Sequence, residues 1–174
     1  MEPLMEEAKA KLAPEKHIVD EVIYPLSPKP LKGRRFIVSA GPTREYIDRV
    51  RYISNPSSGL MGIEMARSLR MLGGAVSLVL GPTHIEPPMG ISVRRVESSK
   101  EMEKVVLEEA EGAEAFFSAA AVADYKPVHT IDEKIETVTH PKIVLELEAT
   151  PKILESVRKN FPEIEIIPFK AAYG

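Results

Sequence analysis

Compact apolar runs alternate with amphipathic stretches along most of this chain. The apolar runs predict buried strands at residues 36–38, 75–80, 92–96, 115–119 and 165–168. Stretches with helical periodicity lie between them, at residues 58–72, 98–111 and 150–160. Because strands and helices alternate, we predict an α/β, Rossmann-like three-layer fold with a mostly parallel sheet. Ligands of such sheets bind beyond the carboxyl ends of the strands. The loops that carry the candidate site therefore follow Ala40, Leu80, Ala119 and Pro168.

Short local signals mark where these elements begin and end. Ser98 and Glu101 have the spacing of a capping box, which predicts the start of the second helix. Thr150 followed by Pro151 is typical of an N-cap and a first helical position, which predicts the start of the third helix. Residues 143–148 alternate between apolar and polar side chains, so a half-exposed strand is predicted there.

Prolines divide the chain into a short N-terminal part and one domain. Met5, Ala8 and Leu12 recur at helical spacing and predict a short helix over residues 1–12. The prolines at positions 25, 28 and 30 are typical of a linker, which places a boundary near residue 31. We therefore expect residues 1–30 to pack little against the core or to reach a neighbouring chain, with residues 31–174 as the domain.

Composition excludes several classes of function. The 23 Lys and Arg nearly balance the 26 Asp and Glu, so no basic field is available to hold a nucleic acid. The chain has no cysteine, which excludes disulfides and thiolate nucleophiles and fits a cytoplasmic protein. Its four histidines lack metal-ligand spacing, so no metal site is predicted. No apolar run approaches the roughly 20 residues that span a bilayer, so no membrane association is expected.

The loop after the first strand leads into a candidate anion site. Residues 41–45 match neither the G-x-G-x-x-G fingerprint of dinucleotide-binding proteins nor a P-loop. Residues 50–62 place an arginine, hydroxyls and small residues before a helix, where free N–H groups favour a phosphate or carboxylate. The alternative is structural: Ser57 and Ser58 cap the helix, and Gly59 and Gly62 allow close packing.

A run of small residues ends the fourth strand. Residues 118–123 are small enough for a ligand to contact the backbone, and Asp124 adds a carboxylate. The alternative is a tight contact between sheet and helix, with Asp124 capping a turn. Lys134 stands among acidic residues, which by itself is typical of a solvated surface charge.

Together these segments resemble the phosphopantothenate-cysteine ligase family, and in particular the ligase domain of the bifunctional proteins of coenzyme A biosynthesis. Residues 39–45 (SAGPTRE) resemble the opening strand and loop of the family. Residues 51–62 (RYISNPSSGLMG) resemble its most diagnostic stretch, and residues 120–125 (AAVADY) its second signature. Residues 1–30 resemble the tail that follows the upstream decarboxylase domain of bifunctional members, and residues 31–174 resemble a ligase domain that is incomplete at its C-terminus.

The resemblance implies a reaction in two steps. The carboxylate of 4'-phosphopantothenate is activated by a nucleoside triphosphate, usually CTP with Mg²⁺, to an acyl-nucleotide, and the amine of cysteine then displaces the nucleotide. It also implies a homodimer in the cytoplasm. No flavin is expected on this chain, since flavin belongs to the decarboxylase.

The resemblance assigns roles to particular residues of this chain. Asn55 and Lys134 are the implied catalytic residues, for amide formation and for acyl-nucleotide formation respectively. The implied substrate contacts are Arg51, Asn55, Ser57 and Ala121. The implied nucleotide contacts are Gly41, Ala120, Asp124, Lys134, Thr150, Pro151, Lys152, Ile153 and Phe169.

The sequence departs from the family pattern in the nucleotide segments. Glu136 and Thr137 stand where the family has the second and third lysines of a Lys-x-Lys-Lys loop, and Lys152 replaces the usual acid. Two alternatives follow. The first is a non-catalytic nucleotide- or phosphate-binding module, since the triphosphate site is weakened. The second, an NAD(P)-dependent oxidoreductase, is disfavoured because the glycine fingerprint is missing.

Overall fold

The computed structural model describes residues 13–170. A 3₁₀ turn at Tyr24–Leu26 follows the first helix. The helices and strands are α1 Glu15–Ile23, β1 Arg35–Ala40, β2 Arg44–Tyr46, β3 Tyr52–Ser54, α2 Leu60–Met71, β4 Ala75–Leu80, β5 Ser92–Arg95, α3 Ser99–Ala110, β6 Ala115–Ser118, β7 Tyr125–Pro127, β8 Leu147–Ala149, α4 Ile153–Asn160 and β9 Glu165–Pro168.

Five parallel strands form the central sheet, in the order β5-β4-β1-β6-β9. Phe36 of β1 lies opposite Val76 of β4 and Ala115 of β6, so the central strand is paired on both sides. From β1 the chain adds β4 and β5 on one side and then β6 and β9 on the other. The order therefore reverses between β1 and β6, which is where ligands bind in sheets of this kind.

Helices cover both faces of the sheet. Phe36, Val38 and Ala40 alternate with Ile37 along β1, and all four are buried. One set packs against α2 in a first apolar cluster, while Ile37 joins α3 and α4 in a second. The predicted α/β, Rossmann-like fold with three layers and a mostly parallel sheet is confirmed.

The capping box of α3 is confirmed, but the predicted start of α4 was wrong. The Ser98 side chain accepts a hydrogen bond from the Glu101 N–H at 3.2 Å, and the Glu101 side chain bonds back to the cap backbone. Helix α4 instead begins at Ile153 after Lys152, without a side-chain cap. The Thr150 hydroxyl donates to the Ala123 carbonyl at 2.6 Å, so a tertiary contact has taken the group that would cap the helix.

Two short antiparallel ribbons extend from the sheet edge. Strands β2 and β3 pair with Glu45 opposite Ile53, and strands β7 and β8 pair with Lys126 opposite Glu148. The predicted strand at 143–148 was wrong in extent, since only residues 147–149 pair and residues 143–146 are exposed. The partner strand β7 has only three residues, so the alternating segment pairs over that length alone.

Helix α1 contacts α2 through charged side chains. Asp20 is buried and forms an ion pair with Arg67, and Arg70 donates to Glu21 at 2.7 Å. Ile18, by contrast, is 37% exposed and lies outside the core. Residues 13–30 therefore attach to the domain by ion pairs rather than by apolar burial. The predicted helix over residues 1–12, with Met5 and Leu12, lies outside the described residues.

Candidate active site

Loops from the carboxyl ends of the strands meet at one edge of the sheet. The loop after β1 runs beside the loop after β6, because the Ala121 N–H donates to the Gly41 carbonyl at 2.9 Å. Pro42 and Ala121 also form an isolated parallel bridge. As predicted, the four strands that end near Ala40, Leu80, Ser118 and Pro168 open onto this same edge.

Two glycines of the motif after β3 are required by packing. A Cβ on Gly62 would lie 2.5 Å from the Ala40 Cβ, so helix α2 can approach β1 only without a side chain there. Gly59 has a φ of +77°, and a Cβ on it would lie 3.1 Å from the Gly41 Cα. Both glycines therefore allow close packing, as the structural alternative predicted. The hydroxyls of Ser57 and Ser58 each accept a hydrogen bond from the N–H group two residues further on, at 3.3 Å.

Asn55 joins the segment after β3 to the loop after β6. Its side-chain N–H group donates to the Val122 carbonyl at 2.9 Å and to the Ala121 carbonyl at 3.4 Å. The residue itself is exposed, so the amide remains accessible to a ligand at the sheet edge. Asn55 is therefore fixed against the run of small residues that the sequence predicted to be a binding loop.

Buried hydroxyls hold that loop from two sides. The Ala123 N–H donates to the Thr43 side chain at 2.9 Å, and the Ala123 carbonyl accepts from the Thr150 hydroxyl at 2.6 Å. The Thr150 N–H adds a bond to the Asp124 carbonyl at 3.0 Å. Thr43, Ala123 and Thr150 are all buried, so water does not compete for these bonds.

A cavity of about 700 Å³ lies at the point where the strand order reverses, and we call it the switch cavity. Its wall combines small residues, an aromatic ring and two charges of each sign. It is lined by Asn55, Pro56, Ser118, Ala120, Ala121, Val122, Asp124, Thr150, Pro151, Lys152, Ile153, Leu154, Glu155, Phe169 and Lys170. The prediction that Asn55, Ala120 and Asp124 lie at one cleft is confirmed.

Lys152 and Asp124 form an ion pair in the switch cavity. Both side chains are more than half exposed, at 55% and 67%. The hydrogen bond and charge of Asp124 raise the pKa of Lys152, so its ammonium stays protonated at neutral pH. The cation is therefore inside the candidate site.

A second cavity, of about 780 Å³, is lined by two arginines and several hydroxyls, and we call it the arginine cavity. The lining residues are Pro42, Arg44, Tyr52, Ser54, Asn55, Pro56, Ser57, Ser58, Pro82, Thr83, His84, Ile85 and Arg95. Within residues 13–170, no carboxylate lines it. Arg44 is held by Glu97 at 3.0 Å and lies 4.6 Å from the centre of the Tyr52 ring. The arginine cavity is therefore suited to an anionic group.

Asn55 lines both cavities, whereas three of the predicted site residues line neither. Ser57 lies in the arginine cavity, and the remaining predicted residues lie in the switch cavity. The three outside are Gly41, Arg51 and Lys134. Lys134 is exposed, and its ammonium lies 3.7 Å from a Glu136 carboxylate oxygen.

The sequence did not point to Asp48, which is fully buried in the turn between β2 and β3. Burial alone would raise the pKa of this carboxyl, but hydrogen bonds from three backbone N–H groups and from Arg51 outweigh it. The net effect places the pKa well below its usual range. An acid between two short polar strands gives no local signal of this arrangement. The arginine cavity also contains Arg44, His84 and Arg95, which were not predicted as site residues because no local sequence pattern marks them.

In residues 13–170, no group of three or more His, Asp or Glu side chains is placed to hold a metal ion. The helices in that same part of the chain are too short or too polar to cross a membrane.

The sequence and the fold are similar to those of known proteins of coenzyme A biosynthesis. The bifunctional protein CoaBC of Thermococcus kodakarensis is 40% identical over 176 residues, which cover all of this chain and 43% of that protein. The crystal structure of the C-terminal domain of a CoaBC protein has a TM-score of 0.70 and 36% identity, over 79% of this chain and 64% of that domain. The chain thus spans less than half the length of the bifunctional relative.

A third similarity concerns the fold alone. A mutant of Cab2 in complex with phosphopantothenate-cysteine has a TM-score of 0.65 at 15% identity, over 87% of this chain and 68% of that protein. Residues 31–172 match the family described as the DNA/pantothenate metabolism flavoprotein C-terminal domain. With a family match over most of its length and 40% identity to a CoaBC protein along the whole of it, this chain belongs to the DNA/pantothenate metabolism flavoprotein C-terminal domain family.

Proposed function

We propose that this chain is a phosphopantothenate-cysteine ligase domain of coenzyme A biosynthesis. The observation that carries the proposal is the position of Asn55, which lines both the switch cavity and the arginine cavity. A ligase of this kind must bring two substrates together at one carbonyl group. The resemblance of the motifs, the CoaBC relatives and the phosphopantothenate-cysteine bound to a protein of the same fold support this assignment.

The switch cavity is the proposed nucleotide site. The ring of Phe169 offers a surface for a base, and the small residues 120–122 allow a ligand to approach the backbone. Lys152 adds a positive charge for the phosphates. CTP is the triphosphate that the family resemblance favours. Mg²⁺ on a nucleotide is usually bound through one or two carboxylates besides phosphate and water, and Asp124 and Glu155 are the carboxylates of this cavity that would hold it.

The arginine cavity is the proposed site of the phosphorylated end of the acid substrate. Arg95 and Arg44, the latter shared with Glu97, supply charge, and the hydroxyls of Ser57 and Ser58 supply donors, which together suit a phosphate monoester. The carboxylate of the same substrate then reaches Asn55, at the boundary with the switch cavity. The two anionic substrates would thus bind in separate cavities that meet at Asn55.

The proposed chemistry takes place beside Asn55. A carboxylate oxygen bonds to the α-phosphorus of the nucleotide while the bond to pyrophosphate breaks. The nitrogen of cysteine then attacks the acyl carbon, the nucleoside monophosphate leaves, and the nitrogen releases a proton. The Asn55 amide, held by the Ala121 and Val122 carbonyls, is a neutral preorganised group at this carbonyl. Bound Mg²⁺ would neutralise charge on the phosphates.

Lys134 and Arg51 complete the proposal, although they lie outside both cavities. Lys134 is the proposed acid for loss of pyrophosphate, and Arg51 is a proposed substrate contact. The family resemblance also favours a homodimer, and the absence of cysteine fits the cytoplasm. Both the homodimer and the cytoplasmic location belong to this proposal.

One observation favours a second candidate, a non-catalytic nucleotide-binding module. Lys134 lies near Glu136, and Glu136 and Thr137 replace two family lysines. Pyrophosphate release with phosphopantothenate and each nucleoside triphosphate, with and without cysteine, separates the two functions. The ligase should release pyrophosphate with CTP, and the amide should form only when cysteine is added. Nucleotide binding without any pyrophosphate release would support the binding module and contradict the ligase.

A further inference from the structure

Asp48 collects hydrogen bonds from two separate parts of the chain. Its Oδ1 accepts from the N–H groups of Val50 and Arg51, each at 2.7 Å. Its Oδ2 accepts from the Arg51 guanidinium and, across 87 residues of sequence, from the Ile135 N–H at 3.2 Å. Asp48 is fully buried, so these bonds form away from water.

The segment 130–135 is held to the β2–β3 ribbon by few other contacts. The Ile131 N–H donates to the Ile47 carbonyl at 3.0 Å, and the Arg51 guanidinium donates to the Ile135 carbonyl at 3.2 Å. Ile135 is buried although the residues on both sides of it are exposed. The attachment is therefore concentrated at Ile135, next to Lys134 in the chain.

The turn that contains Asp48 also connects strands β2 and β3, the ribbon that leads to Asn55. The Ile47 N–H donates to the Arg51 carbonyl at 2.8 Å, which closes the turn around Asp48. Strand β3 follows directly, and Asn55 comes directly after β3. One buried carboxylate thus contacts both Arg51 and the backbone beside Lys134, two of the residues that the proposed reaction uses.

We infer that Asp48 is the positioning residue of this ligase: its carboxylate holds Arg51 and the segment that carries Lys134 in register with the ribbon that ends at Asn55. The catalytic role that this inference gives to Asp48 rests on the proposed function. The tether, by which we mean the hydrogen bonds from Arg51 and Ile135 to the Asp48 carboxylate, rests on geometry alone.

The tether requires a carboxylate. An ionised carboxylate accepts at both oxygens, whereas an asparagine side chain accepts at one oxygen and donates from the other end. In Asp48→Asn the amide N–H₂ group would face two donors, the Ile135 N–H and the Arg51 guanidinium, if the turn keeps its bonds. A buried donor without an acceptor is costly. We therefore expect the segment 130–135 to detach while the turn and the sheet remain folded.

The first arm of the experiment measures amide hydrogen exchange in Asp48→Asn. Asp20→Asn is the matched control, because Asp20 is also a buried carboxylate paired with an arginine, on helix α1. Exchange at Ile131 and Ile135 should accelerate roughly tenfold in Asp48→Asn, the scale of one net hydrogen bond, and stay unchanged in Asp20→Asn. Rates within threefold of wild type, or equal acceleration in the strands of the sheet, would overturn the tether.

The second arm measures pyrophosphate release with phosphopantothenate and CTP. It should fall about tenfold in Asp48→Asn and stay near wild type in Asp20→Asn. Ile135→Ala, which loosens the same segment without touching the carboxylate, should lower release in the same direction, and it carries the test if Asp48→Asn does not fold. Faster exchange with unchanged release would overturn the positioning role. A wild-type chain without release would overturn the proposed function, and the exchange rates would still decide the tether.

Discussion

Lys152 places a positive charge inside the candidate site. Its ammonium lies in the switch cavity and pairs with Asp124, 28 residues away in sequence. The family resemblance implies that Glu136 and Thr137 replace two lysines after Lys134, so in the proposed reaction the phosphates need cations from elsewhere. We interpret Lys152 as one such cation, released from Asp124 when a nucleotide binds.

Removal of that cation should weaken nucleotide binding. We expect Lys152→Ala to raise the dissociation constant for CTP by about tenfold, since a charge-assisted bond to phosphate is lost. The raised pKa of Lys152 keeps it charged, so this effect should be the same at pH 8 and pH 9, where the triphosphate is fully ionised. Isothermal titration calorimetry measures it. Lys159→Ala, on the exposed side of helix α4, is the matched control, and equal affinities for the two variants would contradict the assignment.

At the scale of elements, short ribbons and loops are fixed by tertiary hydrogen bonds rather than by their own patterns. The five-stranded sheet was predicted from compact apolar runs, and helices α2 and α3 from apolar periodicity over about three turns each. Strands β2, β3, β7 and β8 have three residues each and were missed or misplaced. Thr150 is typical of an N-cap residue, but its hydroxyl donates to the Ala123 carbonyl instead of capping helix α4.

The site was predictable to the extent that its residues follow strand ends. Asn55, Ala120 and Asp124 belong to loops at the carboxyl edge of a parallel sheet, so the fold itself brings them together. Asp48 meets Ile135 across 87 residues, and no local pattern records that contact. Arg44 and Arg95 likewise converge only through folding. The roles assigned to these side chains remain predictions.

The hydroxyl of Thr150 connects β8 to the binding loop, and its removal should loosen both. Thr150→Val keeps the shape but leaves the buried Ala123 carbonyl without this donor. We expect a loss of about 1–2 kcal/mol in the free energy of unfolding, measured by urea denaturation. Thr150→Ser should retain most of the stability. Exposed Thr139→Val is the second control, and a similar loss in that variant would contradict the account.

At the scale of the whole molecule, Asp48 links stability to pH. Its pKa is lower in the folded chain than in the unfolded chain, so the folded state favours the charged form. That stabilisation is fully present above the unfolded pKa, near 4, and is lost as the pH falls through the folded pKa. The difference in unfolding free energy between wild type and Asp48→Asn should therefore be constant from about pH 7 to pH 5 and shrink towards pH 2. Urea midpoints measure it, and an unchanged difference at pH 2 would argue against the carboxylate.

The switch cavity and the arginine cavity meet at Asn55, so both steps of the proposed reaction would take place beside this one residue. In the proposed reaction, activation depends on the triphosphate and the carboxylate, whereas ligation depends on a neutral amide at the acyl group. Asn55→Asp replaces that amide by a charge that cannot donate to the Ala121 and Val122 carbonyls. Lys134→Gln removes the proposed acid of the first step. The two variants should therefore fail at different steps.

The most direct test is the mass of the intermediate that accumulates on Asn55→Asp with phosphopantothenate, CTP and cysteine. We predict pyrophosphate release with an acyl-cytidylate that persists, and ligation reduced by about 10²-fold, the scale of one preorganised contact in the transition state. Lys134→Gln should release little pyrophosphate and accumulate nothing. If both variants stop before pyrophosphate release, or if Asn55→Asp still forms the amide at the wild-type rate, the account is contradicted.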